Sequence, residues 1–103
     1  MANDIEKMVN QFVKNLNPKC VYLFGSTASG TDTSDSDYDF YIVVENYQTD
    51  ILSSTRDAYR SVRGLRTRPV DIIVNTEDHF EKRKQGPTLE KEVFEKGVLM
   101  YDR

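Results

Sequence analysis

Gly25-Ser26-Thr27-Ala28-Ser29-Gly30, then Ser36-Asp37-Tyr38-Asp39-Phe40-Tyr41-Ile42-Val43-Val44 beyond a short polar turn, form the stretch whose reading decides the fold. The run from Tyr38 to Val44 is aromatic and β-branched, and its pattern predicts a buried strand. Side chains alternate across a strand, so Asp37 and Asp39 share one face with roots about 7 Å apart. A second apolar run, Val70-Asp71-Ile72-Ile73-Val74, carries a third carboxylate, Asp71. An acid amid Val and Ile is an unusual core residue. If the two strands are neighbours, three acids converge on one patch of sheet. Close carboxylates repel one another, and each costs free energy to desolvate. Hard divalent cations offset both costs, and oxygen-ligated Mg²⁺ is the usual partner where phosphates are present. The pattern points to metal-dependent phosphoryl or nucleotidyl transfer.

Other metal and phosphate motifs fail on their own terms. Asp35, Asp37 and Asp39 imitate the start of a calcium-binding EF-hand loop. That loop needs Gly at its sixth position and Glu at its twelfth, where Phe40 and Asn46 stand. Gly25 to Gly30 has Walker A glycine spacing, but Thr31-Asp32 follows where Lys-Ser/Thr is required. The bland alternative, that Asp37 and Asp39 merely solvate a strand's entrance, leaves Asp71 unexplained.

Outward from this stretch, Ile5, Met8, Val9, Phe12, Val13 and Leu16 recur at helical spacing. Asn3 with Glu6 gives that helix a cap, and Asn17-Pro18 stops it. Lys19 to Phe24 reads as a buried strand. Gly25 to Ser36 reads as a turn with a short helix, and without large side chains its amides can approach an anion closely. Ile51, Leu52, Thr55, Tyr59 and Val62 predict a second helix facing the sheet, with Arg56, Arg60 and Arg63 on a solvated face. Gly64 to Arg68 reads as a loop and Pro69 opens the third strand. Thr76 caps a short helix that holds His79, Phe80 and Lys82-Arg83-Lys84. His79 lies in a polar, helical context away from the acids, which suits a structural or exposed role rather than a general base. Gly86-Pro87 breaks the chain, Thr88 to Lys96 forms the last helix, Gly97 ends it, and Val98 to Tyr101 adds an edge strand. The expected architecture is α/β: a small mixed sheet with helices packed mainly on one face.

Length and charge narrow the partners. The chain has 103 residues, enough for one domain (1–103) with one core. A formal net charge of −3 argues against non-specific nucleic-acid binding. The charge is uneven: residues 1–50 carry net −5 and residues 51–103 net +2. The acidic half holds Asp37 and Asp39, and the basic half can meet phosphate or an acidic partner. Cys20 is the sole cysteine, so an internal disulfide is impossible, and beside a strand it reads as a small hydrophobe. No signal peptide or membrane-length apolar run is evident, so the expected location is the cytoplasm, away from membranes.

Phe24-Gly25-Ser26, then Ala28, Gly30 and Ser36-Asp37-Tyr38-Asp39, resemble the G-S…D-x-D signature of the nucleotidyltransferase (DNA polymerase beta-like) superfamily. The likeness is greatest to its minimal bacterial members, the MNT proteins encoded beside HEPN-domain toxins. Asp71 falls where the family places its third carboxylate. Glu92 to Tyr101 resembles the helix and short strand that end these small proteins, so the resemblance runs over nearly the whole chain. Many small members carry Arg on both sides of the alanine, where this chain has Thr27 and Ser29, so no contact is carried over to those positions.

The resemblance implies two Mg²⁺ ions held by Asp37, Asp39 and Asp71, with Asp71 also a possible general base. It implies ATP as the nucleotide, with Gly25 and Ser26 cradling its phosphates. Attack on the α-phosphorus would release pyrophosphate. It further implies a HEPN-domain partner, modified by AMP on a hydroxyl, with the chain acting as antitoxin. A non-catalytic docking module is the alternative, although no triad residue is lost. A small-molecule nucleotidyltransferase is a weaker one, because such enzymes usually need a second helical domain to hold the acceptor.

Overall fold

The computed structural model describes residues 2–65 and 67–103. Its elements follow the order α1 (Ala2–Leu16), β1 (Cys20–Phe24), α2 (Ser26–Ser29), β2 (Tyr38–Val44), α3 (Ile51–Ser61), β3 (Val70–Thr76), α4 (Glu77–Arg83), α5 (Leu89–Lys96) and β4 (Val98–Asp102). The four strands form one mixed sheet in the order β3-β2-β1-β4. β1 pairs antiparallel with β2 and β4, while β2 and β3 run parallel with α3 as their crossover. No helix among the described residues is long and apolar enough to cross a membrane.

Strand alternation sorts the residues onto two faces. Val21, Leu23, Tyr38, Phe40, Ile42, Ile72 and Val74 point to one core, where Met8, Phe12 and Leu16 of α1 meet them with Ala58 and Val62 of the α3 segment. Phe12 and Phe40 pack edge to face at 5.1 Å between centroids, a geometry that aligns ring edge and ring face. Tyr22, Tyr41 and Val43 point the other way, into a smaller core closed by Phe80 of α4 and Val93 of α5. The two longer helices therefore cover one face, as expected. The short α4 and α5 cover only part of the other.

Several local expectations need correction. Leu52 does not face the sheet: it is 68% exposed, and Ala58 takes the central buried position. The helix starts after a cap in which the Asp50 side chain accepts from Ser53 N. Asn3 lies inside the range of α1 rather than before it, and its side chain lies outside the described residues, as does residue 66 of the expected loop. Gly97 ends α5, but with φ −74 its backbone is open to any residue. Space is what it supplies. A methyl there would collide with Val93 O and press on Leu23 O at 3.1 Å, so a missing side chain lets α5 close onto β1. Cys20 is half-buried at the start of β1. Burial, then the charges of Asp102, Glu77 and Glu81, push its thiol up to about 11, which suits the structural role expected of it.

The partial face is tied by a buried carboxylate that periodicity did not reveal. Tyr41 Oη donates to Glu90 Oε2 at 2.8 Å, and Asn75 Nδ2 donates to Tyr41 Oη at 3.1 Å. His79 Nε2 lies 3.7 Å and Arg83 Nε 3.6 Å from the same carboxylate. Burial alone would push Glu90 up. The hydrogen bond from Tyr41, a backbone hydrogen bond and the charges of His79 and Arg83 outweigh it, leaving the group below its ordinary value. A lowered carboxyl stabilises the fold above its unfolded value and loses that contribution as pH falls through the folded one. Glu90→Ala should cost about 2 kcal/mol at neutral pH, by leaving the Tyr41 O–H without its acceptor and His79 and Arg83 without their carboxylate. The deficit should shrink on acidification to about pH 3, below the ordinary glutamate value. Denaturant melts at both pH values measure this, and an equal deficit at both would remove the charged role assigned to Glu90.

Candidate active site

Two registers meet at Asp39. The parallel pairing of β2 and β3 sets Asp39 beside Asp71, and the antiparallel pairing of β1 and β2 sets Phe24 on its other side. Gly25 and Ser26 follow Phe24 directly. Asp37 stands one residue before β2, at the same end of the sheet. The sequence-predicted residues are thus brought to one end of one sheet face. In spatial order they run Asp71, Asp39, then the Gly25-Ser26 turn.

Their burial differs from expectation in one respect. Asp37 and Asp39 are half-buried, but Asp71 is exposed rather than a core residue. β3 is an edge strand, and α4 starts only at its far end, after Thr76. Among the described residues, no helix reaches back over Asp71, so its carboxylate keeps water. The apolar neighbours Val70, Ile72 and Val74 point to the opposite face, where they are buried.

The turn is built around Asp39. Gly25 has φ 76 and ψ −157, a region open in practice only to glycine. A methyl at Gly25 would also collide with the Asp39 carboxylate. The Gly25 carbonyl accepts from Ala28 N and Ser29 N, and the earlier amides of α2, from Ser26 and Thr27, have no carbonyl one turn back to bond. Gly30 closes α2 in the left-handed region at φ 79, donating its N–H to Ser26 O.

Electrostatics make this end of the sheet a place for positive charge. Burial pushes the Asp39 carboxyl above its ordinary value, and the charges of Asp71 and Asp37 push it further. Among the described residues, no three His, Cys, Asp or Glu side chains form a ready cation cage. The donors still fit a hard cation in kind. They are carboxylate oxygens on adjacent strands, one of them pressed against a side-chain-free turn and raised in pKa by its acidic neighbours.

Arg68 is a residue that sequence reasoning missed. Its Nη1 pairs with Asp32 Oδ2 at 3.3 Å and donates to the carbonyls of Thr33 at 3.1 Å and Ser36 at 3.4 Å. Its guanidinium lies 4.6 Å from the centroid of the Tyr38 ring. One arginine at the entry of β3 therefore pins the loop that delivers Asp37 and Asp39. In the sequence it looks like the other arginines of the basic half; only its place before Pro69 sets it apart.

Comparison with known proteins bears on the family and the fold. The family model described as polymerase beta, nucleotidyltransferase matches residues 6–103. The crystal structure of a Sulfolobus solfataricus protein assigned as a nucleotidyltransferase superposes with a TM-score of 0.69. The two are 24% identical over 100% of this chain and 81% of that one, a likeness of fold. A crystal structure described as a toxin-antitoxin with AMP-PNP has a TM-score of 0.49 and 15% identity, over 95% of this chain and 73% of that one. At that level it carries no argument. No curated protein matches the chain.

Two outcomes follow from the charges described. Because the Asp39 value is raised on folding, its protonated form favours the fold. The contribution is present below the ordinary aspartate value and lost as pH rises through the raised one. Asp39→Asn should therefore raise the melting temperature of the metal-free protein at neutral pH. The gain should fade below about pH 4, where the native residue is itself protonated. Thermal melts against pH test this, and a variant less stable than wild type at neutral pH would contradict it. Arg68→Ala should cost about 2 kcal/mol, near 10 °C in a domain of this size. Arg68→Lys should recover only part, because an ammonium lacks the planar fork and stacks poorly on Tyr38. Full recovery by Lys would show that charge alone matters.

Proposed function

The chain belongs to the polymerase beta nucleotidyltransferase family, and from that premise we propose that it moves AMP from ATP to a hydroxyl on a partner protein. One observation carries the catalytic half of this reading: Asp39 sits between Asp71 and the Gly25-Ser26 turn. A nucleotidyl transfer needs a phosphate cradle, a charge-neutralising centre and a base for the acceptor, side by side. The row offers a candidate for each in that order.

Asp37, Asp39 and Asp71 would hold Mg²⁺. When bound, that ion neutralises phosphate charge and makes the acceptor hydroxyl easier to deprotonate. Ser26 would donate its hydroxyl, and the amides of Ser26 and Thr27 their N–H groups, to the outer phosphates. Gly25 keeps the cradle clear, since any side chain there would meet Asp39. Asp71, exposed and on the side away from the turn, would take the acceptor's proton. The acceptor oxygen then bonds to the α-phosphorus, the bond to the β-phosphate bridge breaks, and pyrophosphate leaves. Positioning and charge neutralisation provide most of the acceleration, since the reaction asks for no covalent enzyme intermediate.

The protein acceptor, a HEPN-domain toxin, rests on the resemblance to MNT proteins. The open β3 side supports it, because Asp71 stands exposed with no enclosing wall beside it. The chain would act as antitoxin by this modification.

Co-expression with the product of the neighbouring gene, followed by intact mass, tests the proposal. An AMP-sized gain on the partner that disappears with Asp39→Asn is the expected result. Asp71→Asn should lower transfer by about 10²-fold or more, as for loss of a general base, with the fold intact. A partner never modified while small molecules are, or equal transfer by Asp39→Asn, would overturn it. Tight binding to an unmodified partner would instead favour a docking module.

A further inference from the structure

Beyond the Gly25 turn, on the side away from Asp71, the structure has a second wall. A cleft of about 250 Å³ lies between Gly25 and Ser29 on one side and Glu92, Lys96 and Gly97 on the other, with Phe24 between them. Phe24 is the strand neighbour of Asp39, so the cleft borders the strand next to the one that carries the central acid. Glu92 and Lys96 stand one turn apart on α5, which places them on the same helix face. Gly97, by lacking a side chain, lets α5 sit close enough to β1 to form this wall.

We propose that Lys96 binds the terminal phosphates of the nucleoside triphosphate in this cleft. The inference rests on the transfer reaction proposed above and names a further residue of its nucleotide site. A triphosphate with one end at Asp39 has to extend along the sheet. Toward β3 it would run past Asp71, the residue assigned to the acceptor's proton, onto an exposed strand edge. Toward β1 it passes the turn and enters the cleft. Lys96 is the one cation lining the cleft, and it makes no ion pair among the described residues. Arg68, by contrast, is committed to Asp32 and the loop carbonyls. Glu92 sets the balance: its carboxylate in the same wall weakens the cleft's hold on a free anion. Binding there then depends on the rest of the nucleotide and its cation being in place.

Titration calorimetry in Mg²⁺ with a non-hydrolysable ATP analogue, pyrophosphate and AMP tests this. Lys96→Ala should weaken the ATP analogue and pyrophosphate about tenfold, the scale of one charge-assisted contact, and leave AMP unchanged. Glu92→Gln should tighten both several-fold. Lys91→Ala, on the same helix but outside the cleft, should change nothing. Unchanged affinity in Lys96→Ala, an equal loss for AMP, or an equal loss in Lys91→Ala would overturn the assignment while leaving the transfer reaction standing. Failure of the wild-type protein to bind any of the three ligands would overturn both.

Discussion

The pairing of Asp39 with Asp71 is the constraint on which the rest of this molecule turns. Two carboxylates in register on adjacent strands is an arrangement that a sheet built only for stability would avoid, since like charges directly opposite are destabilising. The fold accepts that cost at one end of the sheet and offsets it elsewhere. The opposite face is close-packed, with Phe12, Phe40, Ile42, Val44 and Val62 fully buried. The parallel β2–β3 pairing, bridged by α3, leaves no freedom to slip: a one-residue shift would put Asp39 into that core. Burial of one face thus holds the acids together on the other.

Two polar ties finish the job that packing starts. Arg68 gathers the loop before β2 from below, through one carboxylate and two carbonyls. Glu90 gathers α4 and α5 onto Tyr41, two residues along the strand from Asp39 and on the same face. Neither tie touches the acids. Each fixes a neighbour of the acid-bearing strand.

Much of this was legible in the sequence, for reasons that can be named. α1 announced itself through Met8, Phe12 and Leu16 because a helix on a sheet buries a stripe. β2 and β3 did so because their β-branched runs are long and bounded by Asp and Pro. The shared end of Asp37, Asp39 and Asp71 followed from the strand period once the strands were taken as neighbours. What stayed hidden depends on tertiary coverage. The exposure of Asp71 reflects where α4 begins, which no pattern around Val70–Val74 records. Leu52 turns to solvent in the first turn of α3, while Ala58, too small to stand out in the apolar pattern, is fully buried. Glu90 and Arg68 act across long stretches of sequence and look locally like ordinary surface charges. Gly97 ends α5 as its place in the sequence suggested, but the space it leaves for α5 against β1 could not be read there.

The asymmetry of the site argues for a division of labour between its two sides. On the β1 side the chain supplies walls: a strained glycine turn, Phe24, and the last turns of α5. On the β3 side, among the described residues, it supplies the exposed carboxylate of Asp71 at the sheet edge. A reaction between two substrates needs both held, because orientation is the larger part of what such an enzyme contributes. Under the proposed reading the nucleotide takes the walled side and the acceptor the open one. An acceptor that meets no walls must bring its own orientation, from a surface large enough to dock beside β3. A folded protein can do that and a small free alcohol cannot. The edge position of β3 is then what makes the difference: another strand or helix laid over Asp71 would cover its carboxylate and close the approach by which a partner's hydroxyl would reach the central acid under this reading.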